Sequence, residues 1–290
     1  MKYIVRNRNS LENIIIESSK TLNFLYDNIF GRIILKLFIT KPVTNLIGIY
    51  MNSKLSIHKI NKFIKSNNID MSIYEKKKYI SYNDFFTRKI ILKERPIDNN
   101  KKSLISPCDA KLLVYKINKD LTLKIKDSYY DINTLVNDNI MNEYKDGYAL
   151  IFRLSTDNYH RYCYIDNGIK SENHYIKGKF HTVQPISLKH YNFFKTNCRE
   201  YTILNTENFD KVIDIDVGAL GVGKIKNHHQ NYNFKKGEEK GYFEFGGSTI
   251  VLLLKKDIVN IDDDILKNSK ENIETIVKYG EKIGKKVDFF

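Results

Sequence analysis

The chain has 290 residues, with 48 Lys and Arg against 34 Asp and Glu, a formal net charge of +14, and 42% hydrophobic residues that include 20 Tyr and 16 Phe. That apolar content can build a sizeable core and argues against a natively disordered chain, and the length suits one large domain or two small ones. The excess of cations points to a polyanionic partner, either nucleic acid or an anionic membrane surface, and charge alone does not choose between them.

The cysteines Cys108, Cys163 and Cys198 form an odd, sparse set. They fit neither a secreted disulfide framework nor a Cys-x-x-Cys zinc pair, so a reducing compartment is the simpler reading. The first ten residues carry early positive charge with no apolar run behind it, which does not read as a signal peptide, and the chain is expected to stay inside the cell.

From Leu22, the residues Leu22, Leu25, Tyr26, Ile29 and Ile33 follow helical spacing, and Ile57, Ile60 and Ile64 repeat it. The apolar window from Ile33 to Met51 is interrupted by Lys36, Lys41 and Pro42, so it is not expected to span a bilayer. Pro42 should end or offset the helix that holds Leu35 and Leu37. These amphipathic helices read as a layer on a core or, with Lys and Arg flanking the apolar face, as a surface resting on lipid.

After Arg95-Pro96 the texture changes to short β-type runs: Lys111 to Ile117, Leu121 to Ile125, Tyr148 to Leu154, Lys211 to Val217 and Thr249 to Leu254. Ile250 to Leu254 is continuously apolar, as in a strand buried on both faces. Ile261 to Ile283 closes the chain with a Lys/Glu-rich stretch containing at least one short helix. The predicted fold is α+β, with N-terminal amphipathic helices (residues 1–95, membrane-facing) packed on a mainly antiparallel β core (residues 96–290).

Chemistry is concentrated in three places. Gly246-Gly247-Ser248-Thr249 stands directly before the apolar strand. Alone it is accounted for by a glycine turn, and it is not a serine-hydrolase elbow because Ile250 stands where glycine is needed. Ser106-Pro107-Cys108-Asp109 places an acid before one strand, and Asp157-Asn158-Tyr159-His160-Arg161-Tyr162-Cys163 a histidine after another. Asp, His and Ser on separate strand ends are the parts of an acid-oriented base and a hydroxyl nucleophile. Taken singly, Asp109 also reads as a turn acid and His160 as a hydrogen-bonded core residue.

Other motifs carry less. Gly218 to Gly223 lacks the spacing of a dinucleotide fingerprint and reads as strand and turn. Ser56-x-x-Lys59 has no accompanying Lys-Thr-Gly. His228-His229 has no third ligand at matching spacing, and no metal requirement is expected.

The string Tyr82-Asn83-Asp84-Phe85-Phe86-Thr87-Arg88-Lys89, followed by Arg95-Pro96-Ile97, resembles the signature that precedes the catalytic core of phosphatidylserine decarboxylases. Ser106-Pro107-x-Asp109, Asp157-x-Tyr159-His160-Arg161, Val217-Gly218-Ala219-Leu220-x-Val222-Gly223, Phe234 to Glu239 and Gly246 to Thr249 are similar to later blocks of that family and occur in its order. The match runs from about Leu25 to Leu254 and points to the clostridial type of proenzyme.

The resemblance implies a proenzyme that cuts itself between Gly247 and Ser248 into a β chain (1–247) and an α chain (248–290), converting Ser248 into a pyruvoyl cofactor. That group would form a Schiff base with phosphatidylserine and release carbon dioxide to give phosphatidylethanolamine. Asp109 would orient His160, and His160 would act as base on Ser248 and return a proton after decarboxylation.

The expected partners are phosphatidylserine, an anionic membrane surface and the two processed chains, with room for a homodimer and without nucleic acid. The expected location is peripheral, on the cytoplasmic side of the cell membrane. One departure matters: larger bacterial members carry His-x-x-His where His160-Arg161-Tyr162-Cys163 stands here. Either His160 serves both steps, Cys163 contributes as thiolate, or His181 enters the site; the first is favoured because an ordinary thiol is a poor base. Two other readings compete: a basic nucleic-acid-binding protein with tyrosine stacking surfaces, and a lipid-binding paralogue that does not cleave.

Overall fold

The computed structural model describes residues 2–8, 10–125, 128–136, 139–191, 193–220 and 224–288. Gly221, Val222 and Gly223 of the glycine-rich block therefore lie outside the described residues.

The fold is α+β and mainly antiparallel, as expected. An eleven-stranded sheet forms its centre. Its strands, in chain order, are β1 (Lys2–Asn7), β2 (Asn13–Glu17), β3 (Ala110–Lys116), β4 (Tyr148–Leu154), β5 (Gly168–Lys170), β6 (His174–Ile176), β7 (Arg199–Thr206), β8 (Lys211–Gly218), β9 (Tyr232–Phe234), β10 (Ser248–Leu254) and β11 (Glu274–Val277). In space they run β9-β5-β7-β8-β10-β4-β3-β11-β1-β2, with β6 on β7. Within this sheet β1 and β11 pair in parallel, and the remaining pairs are antiparallel.

Strand β10 is central because it is apolar on both sides. Ile250, Leu252 and Leu254 enter one hydrophobic cluster with Leu112, Leu150 and Phe152, while Val251 and Leu253 enter another with Ile151, Ile213 and Ile215. Side chains alternate across a sheet, so a continuous apolar run is what two-sided burial requires.

The N-terminal region is not helical throughout. Lys2–Asn7 and Asn13–Glu17 form the antiparallel β1-β2 pair on the sheet edge, an arrangement that local spacing hides because Asn13–Glu17 is largely exposed. Helices follow: α1 (Lys20–Asp27), α2 (Ile29–Phe38), α3 (Lys41–Met51), α4 (Lys59–Ser66) and α5 (Tyr82–Phe86). Asn28 breaks the predicted run at Leu22 to Ile33 by ending α1 and capping α2 through the Phe30 and Gly31 amides. Pro42 sits in the first turn of α3, where its missing N–H costs nothing. Tyr26, Leu35 and Ile39 pack with Ile186, and Ile60 packs with Tyr82, Phe85 and Phe86; the opposite faces stay exposed.

A smaller sheet of Arg161–Cys163, Glu239–Phe243 and Ile225–Asn227 brings further contacts to the core. Lys240, fully buried, pairs with Asp214 at 2.9 Å and Asp216 at 2.7 Å, and Asn227 donates to Asp216 at 2.9 Å. Two carboxylates around one ammonium are tolerable out of water only while the cation remains. Lys240→Met should destabilise a single-chain Ser248→Ala protein by about 3–5 kcal/mol, read as a lower urea midpoint at unchanged slope; an unchanged midpoint contradicts this reading of the cluster.

Candidate active site

Helix α5 begins the site. Ser81 caps it by accepting from the Asp84 amide at 3.1 Å, and the Tyr82 amide donates to Ser56 Oγ at 2.8 Å. So fixed, Asn83 Oδ1 accepts from the Phe245 amide at 2.8 Å, and Phe86 packs its ring 4.1 Å from His160 and 5.3 Å from Phe245. The α5 signature thus holds the chain that enters Gly246-Gly247-Ser248.

That entry is shaped by two glycines for two reasons. Gly246 has φ +137°, where a side chain is strained. A Cβ on Gly247 would stand 3.2 Å from Val183 Cγ2, a tight fit that only a shift of the Val183 side chain would relieve. Ser248 then opens β10, paired with Gly218 of β8 and Leu154 of β4. Its hydroxyl is buried and makes no hydrogen bond, and the same is true of Thr249 Oγ1.

His160 follows β4 across the turn Ser155–Asn158 and is fully buried. Its carbonyl accepts from the Phe243 amide at 3.0 Å, which ties it to the strand leading to Ser248. The ring Nδ1 lies 2.8 Å from the Asn158 carbonyl. A carbonyl can only accept, so Nδ1 carries the proton and Nε2 the lone pair. Nε2 is buried with no partner. Burial lowers the ring's pKa from 6.5 to about 3 and keeps it neutral.

The expected orienting contact from Asp109 to His160 Nδ1 is replaced by the Asn158 carbonyl. Asp109 instead accepts from Arg95 Nε at 3.2 Å and Nη2 at 3.1 Å, and from the Tyr279 amide at 2.8 Å. A forked guanidinium and a backbone donor satisfy its oxygens more fully than one imidazole could, and they fasten the Arg95-Pro96 block to the C-terminal region.

Cys163 is buried, with its amide on the Pro107 carbonyl at 2.9 Å. Its thiol contacts the Tyr279 side chain and is pushed up to about 12 by burial, so it is no thiolate. His181 packs between α1 and the core, stacked 4.1 Å from Tyr191, with Nδ1 3.5 Å from Tyr26 OH; burial lowers it to about 4.

His228 Nε2 lies 2.8 Å from Glu239 and His229 Nδ1 3.2 Å from Tyr164 OH. Among the described residues no three His, Cys, Asp or Glu side chains are gathered to hold a metal.

In the sequence Asn83 and Phe86 stand only as letters of a signature, and nothing there marks a role for Asn158, Val183 or Tyr279. Position in an ordered block was the available signal for the first two. The other three act through backbone groups or shape, which leave no chemical mark on the sequence.

The family model described as phosphatidylserine decarboxylase matches residues 82–285. Similar curated proteins include phosphatidylserine decarboxylase proenzyme 2 of Clostridium acetobutylicum, 54% identical over 269 residues, with 92% of each chain covered. Phosphatidylserine decarboxylase proenzymes of Clostridium botulinum and Clostridium beijerinckii are 41% and 40% identical, the former over 99% of each chain and the latter over 97% of this chain and 98% of that protein.

The buried neutral histidine fixes a sign. Between about pH 3 and 6.5 the unfolded chain binds a proton at this residue that the folded chain refuses, so stability falls as pH falls through that window. His181 contributes in the same direction. The Ser248→Ala protein should lose stability on acidification from about pH 7 to about pH 5, and His160→Gln in that background should flatten the slope by up to about 1.4 kcal/mol per pH unit. Urea titrations at each pH measure this, and an unchanged slope contradicts the assigned neutral ring.

Proposed function

We propose, for a chain that belongs to the phosphatidylserine decarboxylase family, that self-processing breaks the Gly247–Ser248 peptide with His160 as the base. The enzyme is a carboxy-lyase of the self-processed, pyruvoyl-dependent class, and its reaction is the conversion of phosphatidylserine to phosphatidylethanolamine. This family reaction also accounts for the sequence blocks that a nucleic-acid-binding reading leaves unexplained. The observation that carries the site assignment is the pair of buried atoms without partners, Ser248 Oγ and His160 Nε2. A hydroxyl left unbonded keeps its proton available, and an imidazole with Nδ1 committed presents its lone pair.

Ser248 Oγ adds to the Gly247 carbonyl carbon as Nε2 takes the hydroxyl proton. The C–N bond breaks, the nitrogen takes that proton, and Gly247 becomes esterified to Ser248. Loss of the Ser248 α proton expels the Gly247 carboxylate and leaves dehydroalanine, which water converts to a ketone and ammonia. Self-processing happens once per molecule, so a weak base suffices. The bare Gly247 leaves the carbonyl unobstructed.

The cradle fits the group: residue 248 is enclosed, led in by glycines and held in register by β4 and β8. A ketone conjugated to an amide supplies the electron sink that decarboxylation of an α-amino acid needs. We assign His160 Nε2 the carriage of a proton: it would take one from the substrate ammonium and return it after carbon dioxide leaves. The burial that makes Nε2 a weak base makes its conjugate acid a ready donor. Cys163, with its raised pKa, and His181, packed on α1, are left with supporting roles.

The enzyme works, in this reading, as a peripheral protein on the cytoplasmic side of the cell membrane, with the helices of residues 1–95 as its membrane-facing region and the remainder as catalytic core. No single described helix is long and apolar enough to cross a bilayer, and α2 and α3 bend by 70°. Phe30, Ile33, Leu37, Leu46 and Ile49 are each more than half exposed, and Lys20, Lys36, Lys41 and Lys54, on the same stretch of chain, are exposed too. Apolar anchors with lysines on the same helical stretch suit acyl chains under anionic headgroups.

Purified enzyme should yield a fragment beginning at residue 248 with an amine-free terminus, and Ser248→Ala should remain one inactive chain; an active, uncut variant contradicts the assignment. Phe30→Asp with Leu37→Asp should cut co-sedimentation with phosphatidylglycerol-rich vesicles by about tenfold or more while self-cleavage continues. Equal sedimentation would remove α2 from the membrane surface.

A further inference from the structure

Arg88 stands two residues beyond Phe86 and is 3% exposed. Its guanidinium meets only neutral groups among the described residues. Nη2 donates to Tyr74 OH at 3.2 Å, Nη1 to the Phe85 carbonyl at 3.4 Å, and Nε has no partner. The Tyr74 and Phe85 rings lie 4.3 and 4.7 Å from it.

Three other buried cations are better provided for. Arg153 pairs with Glu274, and Lys240 with Asp214 and Asp216. Arg199, with no carboxylate, spreads its donors over the carbonyls of Thr134, Leu135, Lys195 and Asn197. A buried guanidinium with an idle N–H and no counter-ion is unfavourable by itself and gains from an arriving anion.

There is room for one. A cavity of about 260 Å³ is lined by four cations, Arg88, Lys89, Arg161 and Lys77, and two carboxylates, Asp84 and Glu75, with Tyr79 and Thr87. Lys77 is taken by Asp84 at 2.6 Å and Arg161 by Glu239 at 2.6 Å, which leaves Arg88 and Lys89 as the cations with charge to offer. The cavity adjoins the reacting centre: Arg161 follows His160, Arg161 Nε donates to the Thr87 carbonyl at 2.8 Å, and Phe86, two residues before Arg88, packs on the His160 ring.

We propose that Arg88, with Lys89 beside it, binds the phosphodiester of the phospholipid headgroup and selects substrates that carry one. The proposal rests on Ser248 and His160 being the reacting residues. The substrate has two anions, and chemistry chooses between them. A cation on the carboxylate would stabilise the ground state against loss of carbon dioxide. The phosphodiester keeps its charge from substrate to product, so a cation there supplies uniform binding without opposing the reaction.

The test uses processed Arg88→Gln and Arg88→Lys enzymes with dihexanoyl phosphatidylserine below its micelle concentration, which removes membrane docking from the measurement. Self-cleavage should proceed in both variants. KM should rise about tenfold to hundredfold in Arg88→Gln with kcat within about threefold, and Arg88→Lys should recover part of the loss. Glycerophosphoethanolamine, but not ethanolamine, should compete with substrate in the wild type and lose potency in Arg88→Gln.

An unchanged KM, or a fall confined to kcat, overturns the proposal. If Arg88→Gln does not self-cleave, Arg88→Lys and the wild-type competition decide, and absence of competition by glycerophosphoethanolamine overturns it. A wild-type chain that stays uncut sinks the Ser248 assignment instead, an outcome distinct from these.

Discussion

Ser248 Oγ and His160 Nε2 are both shut away from water without a hydrogen bond, a condition that costs about 1–3 kcal/mol for each atom. The surrounding structure has to hold that cost in place. Strand β10, apolar on both faces, fixes Ser248 between β8 and β4; Asn158 fixes the imidazole tautomer; Asn83 and Phe86 hold the loop that joins the two. Each of these contacts makes sense as support for the proposed attack of one hydroxyl on its own backbone.

The same enclosure explains why two other groups are poor bases here. A thiol in a dry site keeps its proton, as Cys163 does, and Asp109 spends its oxygens on Arg95 and Tyr279. His160 remains because a neutral imidazole, unlike a thiolate or a second carboxylate, needs no counter-charge in order to offer a lone pair. The helices reach this centre by a short route. Tyr26 of α1 accepts from the Thr182 amide at 2.8 Å, and the next residue, Val183, bounds the space at Gly247.

Much of this was legible in the sequence. Ile250 to Leu254 announced a strand buried on both faces, because composition and length together leave few other structures for such a run. The order of the blocks from Tyr82 to Thr249 carried the family. The β1-β2 pair was not legible, since its exposed residues show no inward stripe and its partner, β11, lies at the far end of the chain. Nor was the role of Asn158, whose contribution is a carbonyl that every residue possesses. Asp109 was misleading in the opposite sense: its type suits an orienting acid, and only the position of Arg95 reveals a stronger partner.

The account stands or falls on which side chain takes the Ser248 proton. Precursor made by cell-free synthesis can be followed by mass spectrometry as it converts to the 1–247 and 248–290 chains. His160→Gln should slow that conversion by about a thousandfold or more, while Cys163→Ser should leave it within about tenfold of wild type. Rapid cleavage by the His160 variant, or arrest by the Cys163 variant alone, would contradict it.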